Sequence, residues 1–185
     1  MPSENFGNMT FSLLIFLLSV LAFQVFPVSL GVQLKDSPSK SVTIIFSLII
    51  SQAIMFYLGI FVGDRFLHLT EGFDNVVVFL GFFLIGLRIS MESFAVRKGE
   101  RTFKPDNNQS IVLASVAQSI NSFLAGLMLY YFDFNLILVL IIILIMAFLF
   151  SLAGSIANIN KQSLAFSSLI YLFGGIGLII ISIYL

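Results

Sequence analysis

The stretch Gln24-Val25-Phe26-Pro27-Val28-Ser29-Leu30-Gly31 decides the fold. It lies inside an apolar segment that has no charged residue between Glu4 and Lys35. Such a run is long enough to cross a bilayer, which takes about 20 residues. Gln24 then falls near the middle of the span, where a polar group is most costly. Pro27 has no N–H, so it frees a carbonyl in the preceding turn and bends the helix. Mid-span amides recur at Gln52 and Asn121.

Composition points the same way. The 185 residues are 59% hydrophobic and 10% charged, whereas a soluble domain carries about 25% charged residues. Net charge is zero, which gives no footing for nucleic acid. There is no Cys, so disulfides, thiolate metal sites and Cys nucleophiles are excluded. The N-terminus has no basic region before its apolar run, so that run reads as a retained span and not a cleaved signal.

Six spans are expected, at about 10–34, 41–63, 75–96, 109–131, 135–157 and 162–185. Helices are the default at these lengths, because each backbone group must be satisfied within its own segment. The chain therefore reads as a single all-α membrane domain over 1–185, with the lipid bilayer as its solvent. The loops at Lys35–Lys40, Arg97–Asp106 and Asn158–Lys161 hold seven of the nine Lys and Arg residues, and the loops on the other side hold only Arg65. The positive-inside rule makes the first set cytoplasmic and puts both termini outside, in a bacterial inner membrane. With no Trp, Tyr130, Tyr131 and Tyr184 are the expected aromatic anchors at the outer surface.

A short internal repeat divides the chain into 10–96 and 109–185. Gln24-Val25-Phe26 resembles Asn121-Ser122-Phe123, and Ile85-Gly86-Leu87 resembles Ile176-Gly177-Leu178. Three helices per half is an odd number, so the halves are expected to be inverted, with any site near midplane.

Gln24, Gln52 and Asn121 share one depth, and Gln118 lies one turn before Asn121 on the same expected face. Two readings follow. The amides tie helices together at about 0.6–2 kcal/mol each, or they line a solute or ion site. Arg88 and Glu92 are four apart on one helix face, as an intrahelical ion pair or as a gate. Gly59 and Gly63 form a GxxxG packing face, and Gly174, Gly175 and Gly177 offer another. His68 is the single His and no metal site is expected there. No Ser has a base within the spans, so no enzyme activity is expected, and no cofactor motif is present.

The arrangement resembles the bacterial manganese efflux pumps of the lysine-exporter superfamily, over nearly the whole chain. Matching the family's first-span Ser-Met-Asp-Ala-Phe-Ala-Ala-Ser-Ile-Gly motif on Gly31 sets its Asp at Gln24. The second-span Glu, seven residues before a Gly, falls at Gln52 when the glycines match Gly59 and Gly63. The fourth-span Ser-Leu-Asp-Ala-Met-Ala matches Ser119-Ile120-Asn121-Ser122-Phe123-Leu124. The third-span Gly-Gly-Arg followed by Glu matches Gly86-Leu87-Arg88 and Glu92. The resemblance implies six helices in two inverted halves and an export function, with amides in place of the three acids. Manganese is a hard cation best held by carboxylates, so this substitution implies lost divalent binding. Two functions are then expected: an accessory or structural subunit of a membrane complex, or an exporter of another cation or small solute through Gln24, Gln52 and Asn121. Other membrane subunits or a homo-oligomer are the expected partners.

Overall fold

The computed structural model describes residues 11–32, 38–70, 72–102, 108–157 and 159–185. Expectations that fall on Met1–Thr10, Lys35, Asp36, Glu71, Lys104, Asp106 and Asn158 lie outside the described residues. Eight α-helices follow in order among them: α1 Phe11–Phe23, α2 Val25–Ser29, α3 Pro38–Phe66, α4 Asp74–Arg97, α5 Asn108–Gln118, α6 Ile120–Met128, α7 Leu136–Ile156 and α8 Lys161–Tyr184. Short 3-10 turns, Leu67–Thr70 and Leu129–Tyr131, follow α3 and α6. Six helical stretches are long and apolar enough to cross a membrane, and the protein is a multi-pass membrane protein.

The difference from the sequence reading is that two spans are each interrupted at a single residue, Gln24 (φ −60°, ψ −21°) and Ser119 (φ −91°, ψ 7°), without leaving the course of the helix. The first is α1 plus α2, interrupted at Gln24. Pro27 cannot donate to the Phe23 carbonyl four residues back. The Gln24 N–H bonds the Leu21 carbonyl at 3.2 Å, three residues back, which tightens the chain just before the proline. The fourth span is α5 plus α6, interrupted at Ser119 with no proline nearby. There the Ser119 hydroxyl donates back to the Ser115 carbonyl at 2.8 Å. Such i−4 back-bonding competes with the ladder and bends helices. The second span is longer than expected: α3 has 29 residues, or about 43 Å at 1.5 Å per residue.

Helix ends are capped where they leave the apolar layer. Asn135 Oδ1 accepts from the Leu138 N–H at 3.1 Å. Asn160 and Ser163 form a reciprocal capping box at the start of α8. At the end of α4, Gly99 takes φ +80°. The Gly99 and Glu100 N–H groups return to the carbonyls of Val96 and Ala95, a Schellman closure that needs glycine.

Close backbone crossings hold the bundle. A Cβ on Gly59 would fall on the Phe123 carbonyl oxygen, and one on Gly154 would fall 2.5 Å from the Phe26 carbonyl oxygen. Thus α3 lies on α6, and α7 lies on α2, each through a glycine seated on a phenylalanine carbonyl. Gly86 of α4 and Gly175 of α8 face each other reciprocally, each ideal Cβ meeting the other's carbonyl oxygen at 2.6 and 2.5 Å. Gly63 lies against Tyr130 and Leu127, Gly174 against Val20, and Gly177 against the Phe16 ring. Ser29 and Ser151 bond at 2.9 Å across α2 and α7, and Ser47 and Ser115 at 3.0 Å across α3 and α5. Leu17, Leu18, Leu21, Phe56, Phe82, Ile85, Ile89, Ile143 and Leu178 fill the core. An outer sleeve of exposed Leu, Ile and Phe, such as Leu80, Leu113, Ile141 and Phe173, faces outward as lipid contact requires.

Candidate functional site: a polar centre at two helix breaks

Adjacent residues of α3 reach both breaks. Gln52 Nε2 donates to the Leu21 carbonyl at 2.6 Å, in the last turn of α1. Ser51 Oγ donates to the Ser115 carbonyl at 3.0 Å, in the last turn of α5. The second span therefore tethers the two discontinuous helices by neighbouring side chains.

The halves of the site also meet directly. Asn121 Nδ2 donates to Gln24 Oε1 at 3.0 Å. The same nitrogen has a long contact, 3.5 Å, with Glu92 Oε2. Gln24, Gln52 and Asn121 are each no more than 2% exposed. The three amides do converge on one region, but Gln52 joins it through the Leu21 backbone and not through the other two side chains.

Glu92 carries more than the expected pair with Arg88. Its Oε1 bonds Arg88 Nε at 3.1 Å and Arg101 Nη2 at 2.6 Å. Arg101 follows the Gly99 turn, which folds the chain back so that the guanidinium reaches into the bundle. Arg88 and Glu92 also floor a groove of about 540 Å³ whose other lining is apolar: Leu84, Leu87, Met91, Ala95 and Leu124.

Sequence reasoning missed one member and misplaced another. Tyr171 of α8 is buried, and its hydroxyl donates to the backbone carbonyl of Gln24 at 3.0 Å. Gln118 lies near the same hydroxyl, at the end of α5, and the irregularity at Ser119 separates it from Asn121 in α6. Only the position of Tyr171 within a span hinted at a role. Tyr131, expected at the surface, is 5% exposed and bonds Thr70 Oγ1 at 2.6 Å, while Tyr184 is exposed as expected.

Several buried polar atoms of this region have no protein partner: Gln24 Nε2, Gln52 Oε1, Asn121 Oδ1 and Ser122 Oγ. Buried groups are nearly always paired, and each unpaired one costs about 1–3 kcal/mol. Among the described residues, no three His, Cys, Asp or Glu side chains come together. A second cavity of about 450 Å³ lies between Asp64 and Asp133 near the Thr70–Tyr131 end and shares no residue with the polar centre.

The profile of a family described as "Putative manganese efflux pump" matches residues 34–185. The chain belongs to that manganese efflux pump family. It is 32% identical over 143 residues to the Putative manganese efflux pump MntP 1 of Wolinella succinogenes, covering 76% of this chain and 78% of the relative. It is 27% identical over 166 residues to the corresponding protein of Aliarcobacter butzleri, covering 88% and 92%. A third such pump, from Phocaeicola vulgatus, is 29% identical over 138 residues, covering 71% and 70%. No solved structure matches. In this member of the pump family, buried Gln24, Gln118, Asn121 and Ser122 cluster where the first and fourth spans are interrupted.

Proposed function

We propose that the chain is an inner-membrane exporter whose solute occupies the polar centre at the two helix breaks, and that this centre does not hold a bare divalent cation. One observation carries the reading: Asn121 bonds Gln24 between two helices that are each interrupted at one residue, while buried oxygens of this region lack partners. Transporters commonly place substrate where broken helices meet at midplane. Amides stand at the positions where the family resemblance sets carboxylates, and neutral amides do little to offset the dehydration of a divalent ion.

The reading includes an inverted repeat. Gly59 on Phe123 and Gly154 on Phe26 support it, because Phe26 and Phe123 follow Gln24 and Asn121 by the same two positions. The reciprocal Gly86–Gly175 crossing fits an axis between the third and sixth spans. Orientation follows charge: the Arg97–Thr102 turn and Asn160 are cytoplasmic, and both termini are outside.

A second reading, an accessory or structural subunit of a membrane complex, is favoured by one observation. Glu92, the sole carboxylate at the centre among the described residues, is held by two arginines at once. Purification in mild detergent followed by native mass spectrometry separates the readings. The exporter runs alone or as a homo-oligomer, and fixed partner chains at set stoichiometry overturn that reading in favour of the subunit.

A further inference from the structure

The geometry points to a monovalent alkali cation as the ligand of the polar centre, an inference that rests on the exporter reading above and names its substrate or coupling ion. The orientation of the amides is fixed by their partners. The Leu21 carbonyl can only accept, so Gln52 must turn its NH₂ group toward it. Gln52 Oε1 is then left without a donor. The Glu92 carboxylate likewise only accepts, so Asn121 presents Nδ2 to it and to Gln24, leaving Asn121 Oδ1 without a donor. Ser122 Oγ, fully buried next in sequence, is unpaired as well. Pro27 removes the donor of the Phe23 carbonyl at the same break. What remains is a set of neutral oxygens free to accept a donor or to bind a cation.

Helix polarity is neutral here: the C-terminal ends of α1 and α5 meet the N-terminal ends of α2 and α6 at the two interruptions, so their dipole ends offset each other. Net side-chain charge decides the valence. Glu92 contributes the one carboxylate there among the described residues, and Arg88 and Arg101 both bond it. The three side chains together carry one net positive charge, which opposes a divalent ion twice as strongly as a monovalent one. The cost of dehydrating an ion rises with the square of its charge, about four-fold from monovalent to divalent at equal radius. Amide, hydroxyl and backbone oxygens without net charge hold alkali ions in channel filters and at unwound transporter helices. Divalent ions are held by carboxylates. Gln24 Nε2, a leftover donor, suits a water retained by a partly hydrated ion.

The test uses the full-length protein purified in detergent. Thermal unfolding is followed in NaCl, KCl and choline chloride at one ionic strength, and in choline with added MnCl₂. The inference expects Na⁺ or K⁺ to raise the unfolding temperature saturably by a few degrees over choline, with Mn²⁺ giving no saturable rise. Gln52→Leu and the milder Ser122→Ala are expected to weaken the alkali effect at least ten-fold in half-saturating concentration. Equal temperatures in all three chlorides overturn the inference, as does saturable protection by micromolar Mn²⁺. Proteoliposome uptake of ²²Na⁺ and ⁸⁶Rb⁺ separates the two ions and the two levels of the claim. Alkali protection without flux keeps the cation site and overturns the exporter reading. Flux of another solute with no alkali dependence keeps the exporter and overturns the cation.

Discussion

Gln52 donates to the Leu21 carbonyl at 2.6 Å, from the second span into the break of the first. That carbonyl also accepts the Gln24 N–H. Gln52→Leu therefore leaves one weakened acceptor and not an orphan. The expected loss is about 0.6–2 kcal/mol, the range for side-chain hydrogen bonds between membrane helices. Ser51→Ala, which frees the Ser115 carbonyl of one of its donors, is expected to cost no more. Equilibrium unfolding in mixed micelles checks both, and a Gln52→Leu protein as stable as wild type removes the tether from the account.

The glycine crossings predict a matched pair of effects. Gly59→Leu and Gly154→Leu each drive a side chain into a phenylalanine carbonyl. Overpacking of this kind costs about 1–3 kcal/mol or blocks assembly. Ile156→Ala, at a 72% exposed position, serves as the control with little effect. If Gly59→Leu fails to assemble while Gly154→Leu is unaffected, the two-fold relation between the halves is wrong.

Tyr171 combines packing and a hydrogen bond, and their magnitudes differ. Its ring sits edge-on to Phe23 with centroids 6.2 Å apart. Tyr171→Phe keeps that ring and loses the bond to the Gln24 carbonyl, for about 0.5–1.5 kcal/mol. Tyr171→Ala loses the ring and leaves a cavity, for about 3–5 kcal/mol on the scale of large aromatic deletions. The ordering of the two variants in a denaturation series is the check, and equal losses would contradict it.

Arg101 reaches Glu92 from the turn beyond α4 and so closes one side of the polar centre. Because the chain has no cysteine, a single Ser122→Cys reporter reads access to that centre. Arg101→Gln is expected to speed its labelling by a membrane-impermeant thiol reagent about five-fold, the factor for ~1 kcal/mol of ion pair. Unchanged labelling means that Arg101 does not control access.

Six spans were legible because long uncharged runs between charged clusters are a strong signal, and the three amides stood out because polarity is costly at their depth. The breaks were only half legible. Pro27 marks the first, but Ser119 breaks the fourth span through a hydroxyl–carbonyl bond that many membrane serines make without breaking a helix. Arg101 read as one more basic loop residue, since nothing local says that Gly99 turns it back nine residues to Glu92. Tyr171 gave no local signal, because its partner is a backbone carbonyl from a distant span. These relations depend on tertiary placement, which neither periodicity nor hydropathy encodes.

The central claim is that amides have replaced a divalent site with one for a different solute. Its most direct test is Mn²⁺ uptake by proteoliposomes of the wild-type protein, beside the Gln24→Asp, Gln52→Glu, Asn121→Asp triple variant. The account predicts wild-type uptake at the level of protein-free liposomes and a gain in the triple variant, where carboxylates return. Wild-type Mn²⁺ uptake above that level, lost on changing Gln24, Gln52 or Asn121 to alanine, would contradict it.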